Sequence, residues 1–135
     1  MTEPLFDTIA VVGLGLIGSS VARGVKARGL ARRVVGYDSA TQVHNRAKEL
    51  GFCDSVANTP SEAVKDAELV LIAVPVGATA DAVKSIAPHL RQGAILTEVG
   101  SVKAAVIRQV LAVLPEGAIF VPGHPIAGTE HSGPD

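Results

Sequence analysis

Three glycines at a fixed spacing, in Gly13-Leu14-Gly15-Leu16-Ile17-Gly18, separate the β-branched run Ile9-Ala10-Val11-Val12 from a segment of helical character. An apolar run that breaks at glycines and resumes as a helix confines the chain to a strand–loop–helix unit. Asp38 ends the next apolar run, 20 residues past Gly18. Strand, glycine loop, helix and downstream acid together form a dinucleotide fingerprint, whereas the glycines alone are a weak signal. In such a loop Gly13 permits the tight turn, Gly15 lets backbone N–H groups approach a pyrophosphate, and Gly18 allows close helix–strand packing. The helix N-terminus then stabilises the phosphate charge. A glycine turn without a ligand is the plainer alternative, and the complete context weighs against it. Asp38 is expected to accept hydrogen bonds from the adenosine ribose, and its charge repels a 2′-phosphate, which favours NAD over NADP. The plainer alternative is that Asp38 caps the following helix, although Ser39 can take that part and the two readings can coexist. Arg32 and Arg33 are read as lying before the strand, poorly placed to hold a 2′-phosphate.

Further apolar runs occur at Val34-Val35, 69–74, Ile95-Leu96 and Ile119-Phe120-Val121. They are continuous, as suits strands buried on both faces of a parallel sheet. Helical segments are expected over 17–28, 41–50, 61–66, 79–90 and 102–114, with Gly29, Gly51, Gly93 and Pro115 as stops. This alternation predicts an α/β fold with a doubly wound, mainly parallel sheet, Rossmann-like, whose functional loops meet at the carboxyl ends of the strands. Residues 1–135 are expected to form one dinucleotide-binding domain, the N-terminal part of a longer enzyme.

Composition removes several other classes. A chain that is 47% hydrophobic and 19% charged is not disordered. Twelve basic residues against 13 acidic ones leave no footprint for nucleic acid, and Phe6, Tyr37, Phe52 and Phe120 make no stacking platform. The longest uncharged run is 15 residues with three glycines inside, short of the ~20 needed to span a membrane. No secretory leader is evident at the acidic N-terminus, so a cytoplasmic protein is expected. One cysteine, Cys53, excludes an internal disulfide, and its default role is a small buried apolar one. The histidines are scattered, so no metal site is expected; His44 and His89 receive no role.

Three loops at strand ends carry the remaining chemistry. Ala73-Val74-Pro75 ends the fourth strand, where proline forces a turn beside the cofactor. Glu98-Val99-Gly100-Ser101-Val102-Lys103 ends the fifth, with Ser101 a good N-cap and Lys103 near the cleft. Gly123-His124-Pro125 follows the sixth, and a neutral imidazole there can accept a proton from a substrate hydroxyl. Glu130 and His131 can join that site, or belong to a solvated loop.

The GLGLIGSS loop with Tyr37-Asp38, the AVPV turn at 73–76, VGSVK at 99–103 and GHPIAGTE at 123–130 together resemble the prephenate/arogenate (cyclohexadienyl) dehydrogenases of tyrosine biosynthesis. The last two motifs, in that order, are the specific part. Glu98 departs from the family, which commonly has Asp before VGSVK. The resemblance implies NAD-dependent oxidative decarboxylation of prephenate or arogenate. By it, Gly13, Leu14, Gly15, Leu16, Ile17, Gly18, Asp38, Ala73, Val74, Pro75 and Ser101 bind the cofactor. His124 accepts the proton of the ring C4 hydroxyl, Ser101 helps hold both, and Thr129 and Glu130 join the substrate wall. No metal is required. The family carries its cationic substrate anchor and dimer interface in a helical C-terminal domain that is missing from these 135 residues, so a homodimer is expected of the full-length enzyme. Two other classes are compatible with the fingerprint: a dehydrogenase of the β-hydroxyacid type, and a non-catalytic dinucleotide-binding module.

Overall fold

The structure, a computed structural model, describes residues 4–98 and 117–121. Six parallel strands form one sheet: β1 (Phe6–Val12), β2 (Ala31–Tyr37), β3 (Ser55–Val56), β4 (Leu69–Ile72), β5 (Ile95–Glu98) and β6 (Ile119–Val121). They lie in the order β3-β2-β1-β4-β5-β6, and every pairing is parallel. Chain order reverses between β3 and β4, so β1 and β4 become neighbours at the centre. At such a reversal the loops at the carboxyl ends of the strands diverge and leave a crevice.

Helices α1 (Leu16–Ala27), α2 (Thr41–Leu50), α3 (Pro60–Val64) and α4 (Thr79–Ile86) cover both faces. The uninterrupted run of β1 is explained by that double cover. Ile9 and Val11 pack with Ala22 and Val25 of α1 and Ala47 of α2. Ala10 and Val12 point the other way, into a cluster with Val64 of α3 and Val83 and Ile86 of α4. Each fully buried Val or Ile in these layers contributes about 1.5–3 kcal/mol of burial free energy. Cys53 belongs to the α1–α2 layer, and burial foremost, with the nearby Asp54 charge, pushes its thiol up to about 11. It is a packing residue with little thiolate at neutral pH.

Helix ends follow the expected stops in part. Gly29 and Gly51 adopt φ of 63° and 68° directly after the last turns of α1 and α2, a left-handed conformation that glycine takes without strain. The third helix is shorter than 61–66 and starts a residue earlier, because the Thr59 hydroxyl accepts the Glu62 N–H at 3.1 Å. The fourth stops at Ile86 rather than at 90, and Ala87–His89 continue as a 3₁₀ turn. Pro88 has no N–H and its ring obstructs the preceding turn, so the α-helix cannot continue. Arg32 and Arg33 lie inside β2, not before it. Ladder pairing with β1, Phe6 to Ala31 and Thr8 to Arg33, extends the strand past its apolar core. Both arginines are exposed and approach acids at the amino end of the sheet, Arg32 with Asp7 at 3.7 Å and Arg33 with Asp66 at 3.8 Å. They are at the opposite end of β2 from Asp38. The helix expected over 102–114 lies outside the described residues.

Candidate functional site

The glycine loop is built by contacts that leave no room for side chains. Gly13 has φ of 101°, and a Cβ there would stand 2.8 Å from the Ala73 carbonyl carbon and oxygen. Its N–H donates to the Tyr37 carbonyl at 2.8 Å, while the Ala73 N–H donates to the Val12 carbonyl at 2.8 Å. The turn is therefore pinned between the ends of β2 and β4. Gly18, in the first turn of α1, is tighter still: a Cβ would fall 1.7 Å from the Gly13 carbonyl oxygen. Gly15 differs: among the described residues, nothing lies within 4 Å of its Cβ direction. It is the N-cap of α1, contributes no side-chain cap, and the first turn carries no acidic residue. The first N–H groups of α1 thus lack a side-chain acceptor beside open space, an arrangement suited to an anionic phosphate. Leu16 and Ile17, 53% and 55% exposed, flank this opening.

Asp38 follows β2 directly, and its carboxylate is engaged twice. Oδ2 accepts the Leu14 N–H at 2.8 Å, and Oδ1 accepts the Ala40 N–H at 2.8 Å. Neither Asp38 nor Ser39 caps α2, so the capping alternative for Asp38 does not hold. Ala40 is the N-cap and its methyl side chain makes no cap bond, while the Asp38 carboxylate is taken up by the Leu14 and Ala40 N–H groups. Beside Asp38 lies a polar cleft of about 310 Å³ lined by Tyr37, Ser39, Thr41, His44, Asn45 and Asn58. Among the described residues, no lysine or arginine lines it. Ala73, Val74 and Pro75 leave the end of β4 and run into a 3₁₀ turn at Val76–Ala78, with Ala73 against Gly13. The structure therefore brings together the glycine loop, Asp38 and the Ala73 turn at one sheet edge. Ser101, Lys103, His124, Thr129 and Glu130 lie outside the described residues.

Two residues gain importance that their sequence positions did not convey. A Cβ on Gly36 would meet Cys53 Sγ at 2.8 Å and Leu14 Cδ1 at 2.9 Å. A glycine inside an apolar strand was the available signal, since it marks close approach of another group. Glu98, at the end of β5, is 2% exposed, and its Oε2 has no hydrogen-bond partner among the described residues. Burial pushes its carboxyl above the ordinary value of 4.5. A folded-state pKa above the unfolded one means that the charged form costs stability, and protonation relieves the cost. The Glu98 contribution to stability is therefore expected to rise as pH falls from neutrality towards 4.5. Asp54 acts in the opposite direction, because its bond from Lys26 at 2.9 Å holds its carboxyl low. Thermal melts of wild type and Glu98→Gln across that window separate the two: the variant should lose the acid-side gain, and identical pH profiles would show Glu98 to be silent.

Comparison with known proteins agrees with this geometry. Residues 21–135 match the family described as prephenate dehydrogenase, nucleotide-binding domain. Cyclohexadienyl dehydrogenase of Zymomonas mobilis is 44% identical over 131 residues, covering 97% of this chain and 44% of that protein. Prephenate dehydrogenase of Bacillus subtilis is 38% identical over 94% of this chain and 34% of its own length. Among solved structures, prephenate dehydrogenase of A. aeolicus, in complex with hydroxyphenyl propionate and NAD+, superimposes with a TM-score of 0.79 at 29% identity, over 94% of this chain and 44% of that one. The chain spans less than half the length of these relatives. With its family match covering most of its length and its fold shared with a solved relative, the chain belongs to the family of prephenate dehydrogenase nucleotide-binding domains.

Proposed function

We propose that this chain carries the NAD site and one catalytic wall of a dehydrogenase that oxidatively decarboxylates prephenate or arogenate. The observation that carries the reading is the glycine loop, closed on Ala73 and tied to Asp38, in a chain of this family. The uncapped first turn of α1 takes the pyrophosphate, and Gly15 leaves the space for it. Asp38 reads the adenosine ribose, and the Ala73-Val74-Pro75 turn borders the path towards the nicotinamide. When bound, NAD supplies the hydride acceptor. His124 accepts the proton of the ring C4 hydroxyl and can return it to the ring oxygen once carbon dioxide has left and the ring is aromatic. Ser101 orients the hydroxyl and the imidazole, and Thr129 and Glu130 complete that wall. The full-length enzyme is a homodimer in this reading. It needs no metal and works in the cytoplasm.

NAD is expected to bind more tightly than NADP by about 100-fold or more, since facing like charges across an interface costs several kcal/mol. Among the described residues, no lysine or arginine lines the polar cleft beside Asp38 to offset a 2′-phosphate. Titration of the protein with each cofactor tests this, and equal affinities would remove Asp38 as the discriminator. The activity itself is tested by following NADH formation by the full-length protein with prephenate and with arogenate. Turnover of neither, under conditions where NAD binds, would overturn the assignment.

A further inference from the structure

The Asp38 carboxylate is tied into the loop that it was expected merely to accompany. Its Oδ2 holds the Leu14 N–H at 2.8 Å across 24 residues of sequence. The Leu14 side chain is 4% exposed and occupies the notch left by Gly36, where a Cβ would approach Leu14 Cδ1 to 2.9 Å. Immediately before it, the Gly13 N–H is held by the Tyr37 carbonyl at 2.8 Å. The middle of the glycine loop is therefore anchored to β2 and its extension at three points: a main-chain bond at Gly13, a charge-assisted bond at Leu14, and a side-chain contact at Gly36.

We propose that Asp38 is a positioning residue for the pyrophosphate loop, acting through the Leu14 N–H, in addition to reading the ribose. The proposal rests on the NAD-binding reading above. A carboxylate has about four acceptor sites on its two oxygens. The Leu14 and Ala40 N–H groups use one on each oxygen, which leaves one on each for the two ribose hydroxyls. Ribose and loop are thus held at once, by the same group, without competition. Asparagine cannot do this: it has one oxygen, and its NH₂ would face one of the two backbone donors. The loss falls on the loop even when no ribose hydroxyl is present.

Measuring NAD binding beside an NAD analogue that lacks the 2′ and 3′ hydroxyls on the adenosine ribose separates the two roles. Asp38→Asn is expected to weaken the dideoxy analogue by about tenfold, the equivalent of one charge-assisted hydrogen bond. A residue that only reads the ribose would leave affinity for that analogue unchanged, which overturns the proposal. Asp38→Glu, which keeps both oxygens, should recover part of the loss. Gly36→Ala leaves Asp38 in place and pushes on Leu14, so it should weaken NAD and the analogue in equal proportion; no effect on either also counts against the coupling. In ligand-free protein the Leu14 amide should exchange with solvent at least about ten times faster in Asp38→Asn than in wild type, as an opened hydrogen bond does. Unchanged exchange overturns the clamp even if wild type fails to bind NAD, and that failure alone would instead reject the function proposed above.

Discussion

Gly18→Ala is expected to weaken NAD binding by at least about 100-fold and to destabilise the domain by at least about 3 kcal/mol, the upper range for overpacking a tight site. The added methyl would lie 1.7 Å from the Gly13 carbonyl oxygen, far inside any van der Waals contact. Relief by a rotamer change is impossible, because both atoms belong to the main chain or sit directly on it. The first turn of α1 must move away from β1, or Gly13 must move towards Ala73. The second route is blocked as well, since Ala73 already closes on Gly13. Either movement misplaces the N–H groups proposed to face the phosphate, and a loss of at least about 100-fold in affinity follows from two tenfold steps of 1.4 kcal/mol. Gly24→Ala is the matched control in the same helix. Nothing lies within 4 Å of its Cβ direction, so alanine should stabilise by about 0.5–1 kcal/mol through helix propensity. Chemical denaturation and NAD calorimetry on both variants check the pair. Normal NAD affinity in Gly18→Ala would mean that the loop adapts and that its packing is not what forms the site.

In the full-length enzyme, His124→Asn is expected to lower kcat by about 10²–10⁴, the range for loss of a general base. Asparagine keeps much of the hydrogen-bonding shape but cannot take the proton of the C4 hydroxyl near neutral pH. Hydride loss from that carbon needs the oxygen to become a carbonyl as the proton departs, so the barrier rises at the chemical step. NAD affinity should hardly change, because the proposed cofactor contacts come from the loop at Gly13 to Gly18 and from Asp38. Ser101→Ala should be milder, since the role proposed for Ser101 is to orient rather than to accept the proton. Steady-state rates with direct NAD titration separate these effects. A near-normal kcat in His124→Asn would return His124 to a structural role.

The β-branched runs, the spacing of Gly13, Gly15 and Gly18, and Asp38 at 20 residues beyond determine a parallel α/β domain with a dinucleotide loop. These features are legible because they are local: strand propensity, a tight turn and a helix start depend on neighbours along the chain. The same holds for Gly29 and Gly51, whose left-handed conformations end α1 and α2. Strand lengths were less legible. Arg32 and Arg33 belong to β2 because backbone pairing with β1, rather than side-chain hydrophobicity, extends the ladder. The site contacts required the register itself. Val12 pairs with both Tyr37 and Ile72, and this alignment alone sets Gly13 beside Ala73 and carries Asp38 to the Leu14 N–H. A shift of one residue in either pairing would part them, and nothing local to Gly36 or Asp38 records which atoms arrive from β1. Glu98 makes the same point: the strand end was visible, but its unpartnered oxygen exists only because tertiary packing closes over it. Sequence alone determined which residues have the chemistry for a dinucleotide; the tertiary structure decided that Asp38 also holds the Leu14 N–H of the glycine loop, because only sheet register brings groups 24 residues apart within hydrogen-bond reach.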